Sequence, residues 1–320
     1  MSAPAHRGVA PDAGAPARVP VWALLPLAAV AWSVGLGPWL LLRSRVGTLG
    51  TPYNPRNDVR DALLPFVVDR LSLLLTLTLA GGVLAGLTPL VRGAARPQRT
   101  ASSALVVLGA LVAASTAVLQ TLAPEPDLGG SAAQAGTVRL AFVALTAAGT
   151  VVGVVLGLLV SLGGPALRVM AAAPASIVIA GWAGQLVLSA RSDLDPAGVP
   201  AWVSPGLSVV AAVGVGVLLA RLGLGSVGRV LAWAVTAFLL VATPAALTTA
   251  RYLLEALPRT PMRVDAVTEL VTDGLALLRL ATAQNLTVVA LWSPAMLALL
   301  ALAVGAVGAG VSARRRSSRG

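Results

Sequence analysis

The chain has no cysteine, no lysine and a single histidine, His6. Without cysteine there is no disulfide, no thiolate metal centre and no thiol nucleophile. Without lysine there is no Schiff-base amine and no phosphate-binding P-loop lysine. One histidine in a polar N-terminal stretch makes neither a metal cluster nor a proton relay. No metal and no cofactor is therefore expected. Charge is scarce as well. Charged residues are 11% of the chain, against about 25% in a soluble domain.

What fills the space is apolar. Of 320 residues, 57% are hydrophobic, and 33 glycines come on top. Soluble domains run at about 45–50% with glycine included. The mean hydropathy is +0.87. A soluble enzyme of this length could not cover its surface with polar groups. The composition reads as an integral membrane protein, all-α, with the lipid bilayer as its main partner. The Ala/Val/Leu/Gly/Arg bias points to a bacterial source, hence a plasma membrane.

The hydropathy pattern predicts about eight membrane helices in a single domain over 21–311. They are placed at about 21–42, 66–91, 102–122, 138–162, 169–190, 203–221, 230–250 and 287–311. Each offers near 20 apolar residues, enough for a hydrocarbon core of about 30 Å. Residues 1–20 read as a polar tail, and 312–320 as a basic one. The first run is too long for a signal-peptide core, so it reads as a retained helix. Gly163-Gly-Pro-Ala-Leu-Arg168 leaves two readings, a tight turn between two spans or a broken helix.

The net charge of +11 suggests nucleic acid at first sight. The arginines, however, lie between apolar runs, so no nucleic-acid partner is expected. With the N-terminus inside, the inner segments hold Arg7, Arg18, Arg92, Arg96, Arg99, Arg168, Arg221, Arg229, Arg314, Arg315, Arg316 and Arg319, against one acid, Asp12. This favours both termini in the cytoplasm. Strictly, inner and outer arginines are nearly equal in number, but the outer ones mostly sit beside carboxylates. Four spans per half would permit a parallel duplication, although the halves show no clear sequence likeness.

One outer segment, about 261–283, has Val264, Val267, Leu270, Val271, Leu275 and Leu278 at helical spacing. Acidic and hydroxyl residues occupy the other positions. It reads as an amphipathic helix that packs on the outer face of the bundle, with a place on the outer leaflet as the alternative.

Candidate site residues are few. Asp69 and Arg70 form the one charge pair near the core of a span, and an intramembrane charge marks a pathway by default. Sitting at the headgroup level is the structural alternative. Gln120 and Gln185 are further pathway candidates, or plain interhelical hydrogen bonds. Asp58 and Asp61 are one helical turn apart in the first outer loop, beside Arg56 and Arg60. Paired carboxylates there suit metal binding or base catalysis on a phosphate-linked substrate. That placement resembles the polytopic glycosyltransferases that use lipid-phosphate sugars, in position only. Gly82 and Gly86 on one span, and Gly149, Gly153 and Gly157 on another, form small-residue stripes for close helix packing. Packing within the chain is the first reading and homodimerisation the second.

Pro26, Pro38, Pro174, Pro244 and Pro294 fall in or beside spans, where each can kink a helix. Trp22, Trp39, Trp202 and Trp292 fall near span ends, as interface anchors do. Three functions stay open. A non-catalytic membrane subunit or scaffold, bound to a membrane partner, comes first. A permease for a small or lipophilic substrate is the alternative, and an outer-face transferase the third. A permease requires a polar cavity reaching mid-membrane. A scaffold requires a tightly packed core and an apolar lateral groove.

Overall fold

The computed structural model describes residues 19–46, 63–66, 70–92, 99–122, 132–190, 202–256, 264–287 and 292–317. Among these there is no strand. A 3-10 turn, Val21–Ala23, leads into α1 (Leu24–Val34) and α2 (Gly37–Val46). Then come α3 (Leu71–Leu87), the short α4 (Pro89–Arg92), α5 (Arg99–Leu122) and α6 (Ala132–Leu162). The second part holds α7 (Pro165–Ala190), α8 (Val203–Leu222), α9 (Val227–Ala256), α10 (Val264–Thr287) and α11 (Pro294–Ser317). Seven helices are long and apolar enough to cross a membrane: α3 continued through α4, then α5, α6, α7, α8, α9 and α11. The chain is an all-helical bundle of the membrane type.

The expected first span differs: it is broken in two. The N–H groups of Gly35 and Leu36 bond the Trp32 and Ser33 carbonyls, three residues back, at 2.9 and 3.0 Å. Pro38 has no N–H to offer the Val34 carbonyl. At the same break the Gly35 carbonyl accepts the Trp182 indole N–H at 2.9 Å. The last span also starts later than expected. The α10 pattern runs on to Thr287, and α11 begins at Pro294, a residue suited to the first helical position. At the C-terminus α11 carries Ser312 and Arg314 within the helix rather than in a tail.

Gly163 and Gly164 make a tight turn, not a collinear break. Trp32 on α1 donates to Thr150 of α6 at 3.1 Å, while Gly35 nearby accepts from Trp182 of α7. Thr150 and Trp182 are far from the turn on opposite sides of it, so α6 and α7 run antiparallel.

α3 is the central helix. Of its spanning window 67% is buried, against 17–33% in the other six. It carries no charge, and its polar side chains are the hydroxyls of Ser72, Thr76 and Thr78, as suits a largely enclosed helix. Gly81 faces Trp32 and Gly35, while Gly82 and Gly86 face α6. Around it, Val30, Val151, Val155, Val210 and Val307 are exposed, the surface a lipid phase requires. Trp22, Trp202 and Trp292 are exposed near helix ends, but Trp39 is buried at 6%. Trp39 therefore serves the core rather than an interface.

The two halves repeat one packing pattern. In the first, α3 and α6 run parallel, Gly82 meeting Gly153 and Gly86 meeting Gly157. In the second, α8 and α11 run parallel, Gly216 meeting Ala301 and Gly308 meeting Ala220. In each half the first span packs on the second and third. This is the arrangement that a parallel four-helix repeat would give, with α10 as an additional helix in the second half.

Candidate functional site

The halves differ in what fills them. The first buries Trp32, Trp39, Phe66 and Phe142. Phe66 and Phe142 stack with ring centroids 4.8 Å apart. In the second half Trp292 is exposed at the end where α8 and α11 begin. There Ala180, Gly181, Ser204, Ser208, Ala211, Ala212, Thr248 and Arg251 line a cavity of about 280 Å³. Four helices, α7, α8, α9 and α11, contribute. The volume lies near the small end of ligand sites, about 300 Å³.

The cavity opens at the end of the bundle where α8 and α11 begin. Ser204, Trp292 and Pro294 lie there, and Arg251 is the one charged side chain among its described lining. Its floor is Ile177, Ala212, Leu240 and Leu297. Ala212 is the tenth of twenty residues in α8, about 15 Å along the helix, so the floor is at mid-depth. Pro244 lies inside α9 and lines the cavity with Leu240. Lacking an N–H, Pro244 leaves the Leu240 carbonyl without its helical donor. One turn of the same helix is held from outside, where the Asn285 amide donates to the Val241 carbonyl at 3.1 Å. The hydroxyls of Ser208 and Thr248 donate within their own helices, to Ser204 and Pro244 carbonyls at 3.1 and 2.9 Å. Their lone pairs remain for a solute, and Arg251 supplies donors.

Below the floor the bundle closes. Ala173, Val215, Leu219 and Ala301 are all buried. Six residues along α8, about 9 Å, separate Ala212 from Leu218, which lines a second cavity. That second cavity, about 330 Å³, lies at the end holding the α6–α7 turn. It is lined by Arg99, Arg168 and Arg221 together with Gly163, Gly164 and Pro165. A third hollow, about 570 Å³, is a groove between α8 and α11 lined by Val217, Val304, Val307 and Arg221.

The residues singled out in the sequence fall elsewhere. Asp58, Asp61 and Asp69 lie outside the described residues. Arg70 is exposed at the start of α3, Gln120 is exposed on α5, and Gln185 is half-buried on α7. None of these three lines the cavities above. Of the five glycines, Gly82 and Gly86 meet Gly153 and Gly157. A Cβ built on Gly82 would stand 2.5 Å from the Thr150 carbonyl oxygen, and one on Gly86 2.7 Å from Gly157 Cα. Gly149 backs onto Thr78. Both stripes are therefore occupied within the chain. Among the described residues no three His, Cys, Asp or Glu side chains come together.

Sequence reasoning passed over two groups. Gly216, Gly305 and Gly308 close the α8–α11 contact, and the Ala301–Gly305 spacing was a readable signal of it. Arg99, Arg168 and Arg221 were readable only as orientation charges, because sequence does not say that three distant loops converge. Compared with protein-family models, curated proteins and solved structures, the chain matches none of them.

Proposed function

We propose that the protein is a multi-pass permease for a small solute, in a bacterial plasma membrane with both termini cytoplasmic. The observation that carries this reading is the outer cavity. It runs from the Arg251 end to mid-depth of α8 and stops at a seal of small buried side chains. That is the form of a site open to one side and closed to the other. The kinked α9 supports it, since a carbonyl freed by Pro244 supplies an acceptor at membrane depth, where backbone polar groups are tolerated only beside protein or water. Arg251 at the mouth favours a small anionic or neutral polar solute. The aromatic filling of the first half supports the same view, because the fold by itself does not require a cavity.

The non-catalytic subunit reading rests on a different observation, the apolar groove between α8 and α11. One experiment separates the two. Purified protein in proteoliposomes is assayed for uptake of a panel of labelled carboxylates, sugars and amino acids. Uptake of at least one class above protein-free vesicles, abolished by Ala212→Trp, is the expected result. Uptake of none, with Ala212→Trp indistinguishable from the parent, contradicts the permease.

A further inference from the structure

We propose that the arginine pocket holds the phosphate of an anionic phospholipid, with an acyl chain in the adjoining α8–α11 groove. The pocket is built for an anion. Three arginines reach it from three helices, Arg99 from α5, Arg168 from α7 and Arg221 from α8, and no carboxylate is among its described lining. Neither Arg99 nor Arg221 has a hydrogen-bond or ion-pair partner among the described residues. Arg168 gives one Nη2–H to the Ser161 carbonyl at 3.1 Å, while its buried Nε–H has no partner. A buried guanidinium N–H without an acceptor is costly, and a phosphate oxygen is the acceptor its geometry suits.

The backbone adds to this. Gly163, Gly164 and Pro165 line the same pocket. Pro165 opens the 26-residue α7. Pro165 has no N–H, and the Arg168 N–H bonds the Gly164 carbonyl at 2.8 Å. This leaves the N–H groups of Ala166 and Leu167 without a helical carbonyl, and the helix dipole places partial positive charge there.

The groove identifies the source of the phosphate. It is apolar, it faces sideways out of the bundle between two lipid-exposed helices, and Arg221 lines both it and the pocket. Headgroup site and chain site thus meet at one side chain. Arg221 is the penultimate residue of α8 and Arg99 the first of α5, which is headgroup depth for a spanning helix. A free phosphate would leave the groove unused; a phospholipid fills both. Basic pockets between spans on the cytoplasmic side have this recognition chemistry. The inference uses other residues than the transport reading, so either can fail alone.

The full-length protein, purified in nonionic detergent, is titrated with phosphatidylglycerol, phosphatidylcholine and inorganic phosphate. Binding is read by native mass spectrometry and by Tm. Phosphatidylglycerol is expected to bind about tenfold tighter than phosphatidylcholine and to raise Tm. Arg168→Gln and Arg221→Gln should each weaken phosphatidylglycerol about fivefold and leave phosphatidylcholine unchanged. Val304→Trp, which fills the groove, should weaken phosphatidylglycerol and not inorganic phosphate. If Arg168→Gln fails to fold, because the Ser161 carbonyl loses its donor, the exposed Arg221 carries the test. Equal binding of the two lipids, or no change in Arg221→Gln, overturns the site. Inorganic phosphate binding as tightly as phosphatidylglycerol overturns the lipid and leaves a free anion.

Discussion

A methyl group at Gly82 has nowhere to go. Its Cβ would press on the Thr150 carbonyl and on Gly153 Cα, both backbone and neither able to rotate away. Lipid gives helices no hydrophobic reason to associate, so close packing carries the α3–α6 contact. Gly82→Ala is expected to destabilise the protein by about 1–3 kcal/mol, read as a lowered Tm in detergent. Gly214 is the control, with open space around its missing side chain; Gly214→Ala should leave Tm unchanged or raise it. A loss in both, or in neither, would contradict the contact. The spacing of these glycines was legible in the sequence as a close helix contact, within the chain or between copies. Gly35 was not. Its role depends on Gly81 and Trp182, which are far away in the chain. Trp182→Phe keeps the ring and removes the donor to the Gly35 carbonyl. It should cost about 1 kcal/mol, seen as a smaller Tm shift than that of Trp182→Ala.

At the scale of elements, α10 shows how far periodicity reaches. The pattern foretold a helix and its amphipathic character. It did not foretell which residues would pack. Leu270 and Gly274 are buried, while Val271, Leu275 and Leu286 are exposed. Gly274 is the reason. A Cβ there would stand 2.8 Å from Leu253 Cδ2, so the helix approaches α9 at the one position without a side chain. Gly274 against Leu253 and Asn285 against Val241 fix α9 and α10 as antiparallel neighbours. Because the chain has no cysteine, the pair Leu253→Cys with Gly274→Cys can be oxidised in a clean background. A disulfide is expected, since a Cβ on Gly274 would stand 3.2 Å from Leu253 Cγ, which places the two Cβ atoms close to each other. Free thiols after oxidation would show that α10 lies elsewhere.

For the whole molecule, membrane physics made most of the fold readable. Every span must be apolar and helical, so hydropathy alone located the helices. It could not show the break at Gly35, which depends on a partner for freed backbone groups. Nor could it show that the two halves repeat one packing pattern, because they keep the contacts while changing the side chains. The same change explains why the site was missed. Charges are what a sequence reader looks for inside a membrane, and the cavity between α7, α8, α9 and α11 has one charged side chain among small, hydroxyl and aliphatic residues. On the permease reading, this cavity offers room that the first half, with Trp32, Phe66 and Phe142 buried, does not.

That contrast sets the most direct test. Single cysteines are placed at Ser208 and Ala211, on the wall of the outer cavity, and at Val215, in the seal beneath it. Intact cells are then treated from outside with a membrane-impermeant charged maleimide. Modification of Ser208→Cys and Ala211→Cys, with Val215→Cys protected, is the expected result. Protection of all three, or modification of Val215→Cys alongside the others, would contradict an outward cavity closed at mid-membrane.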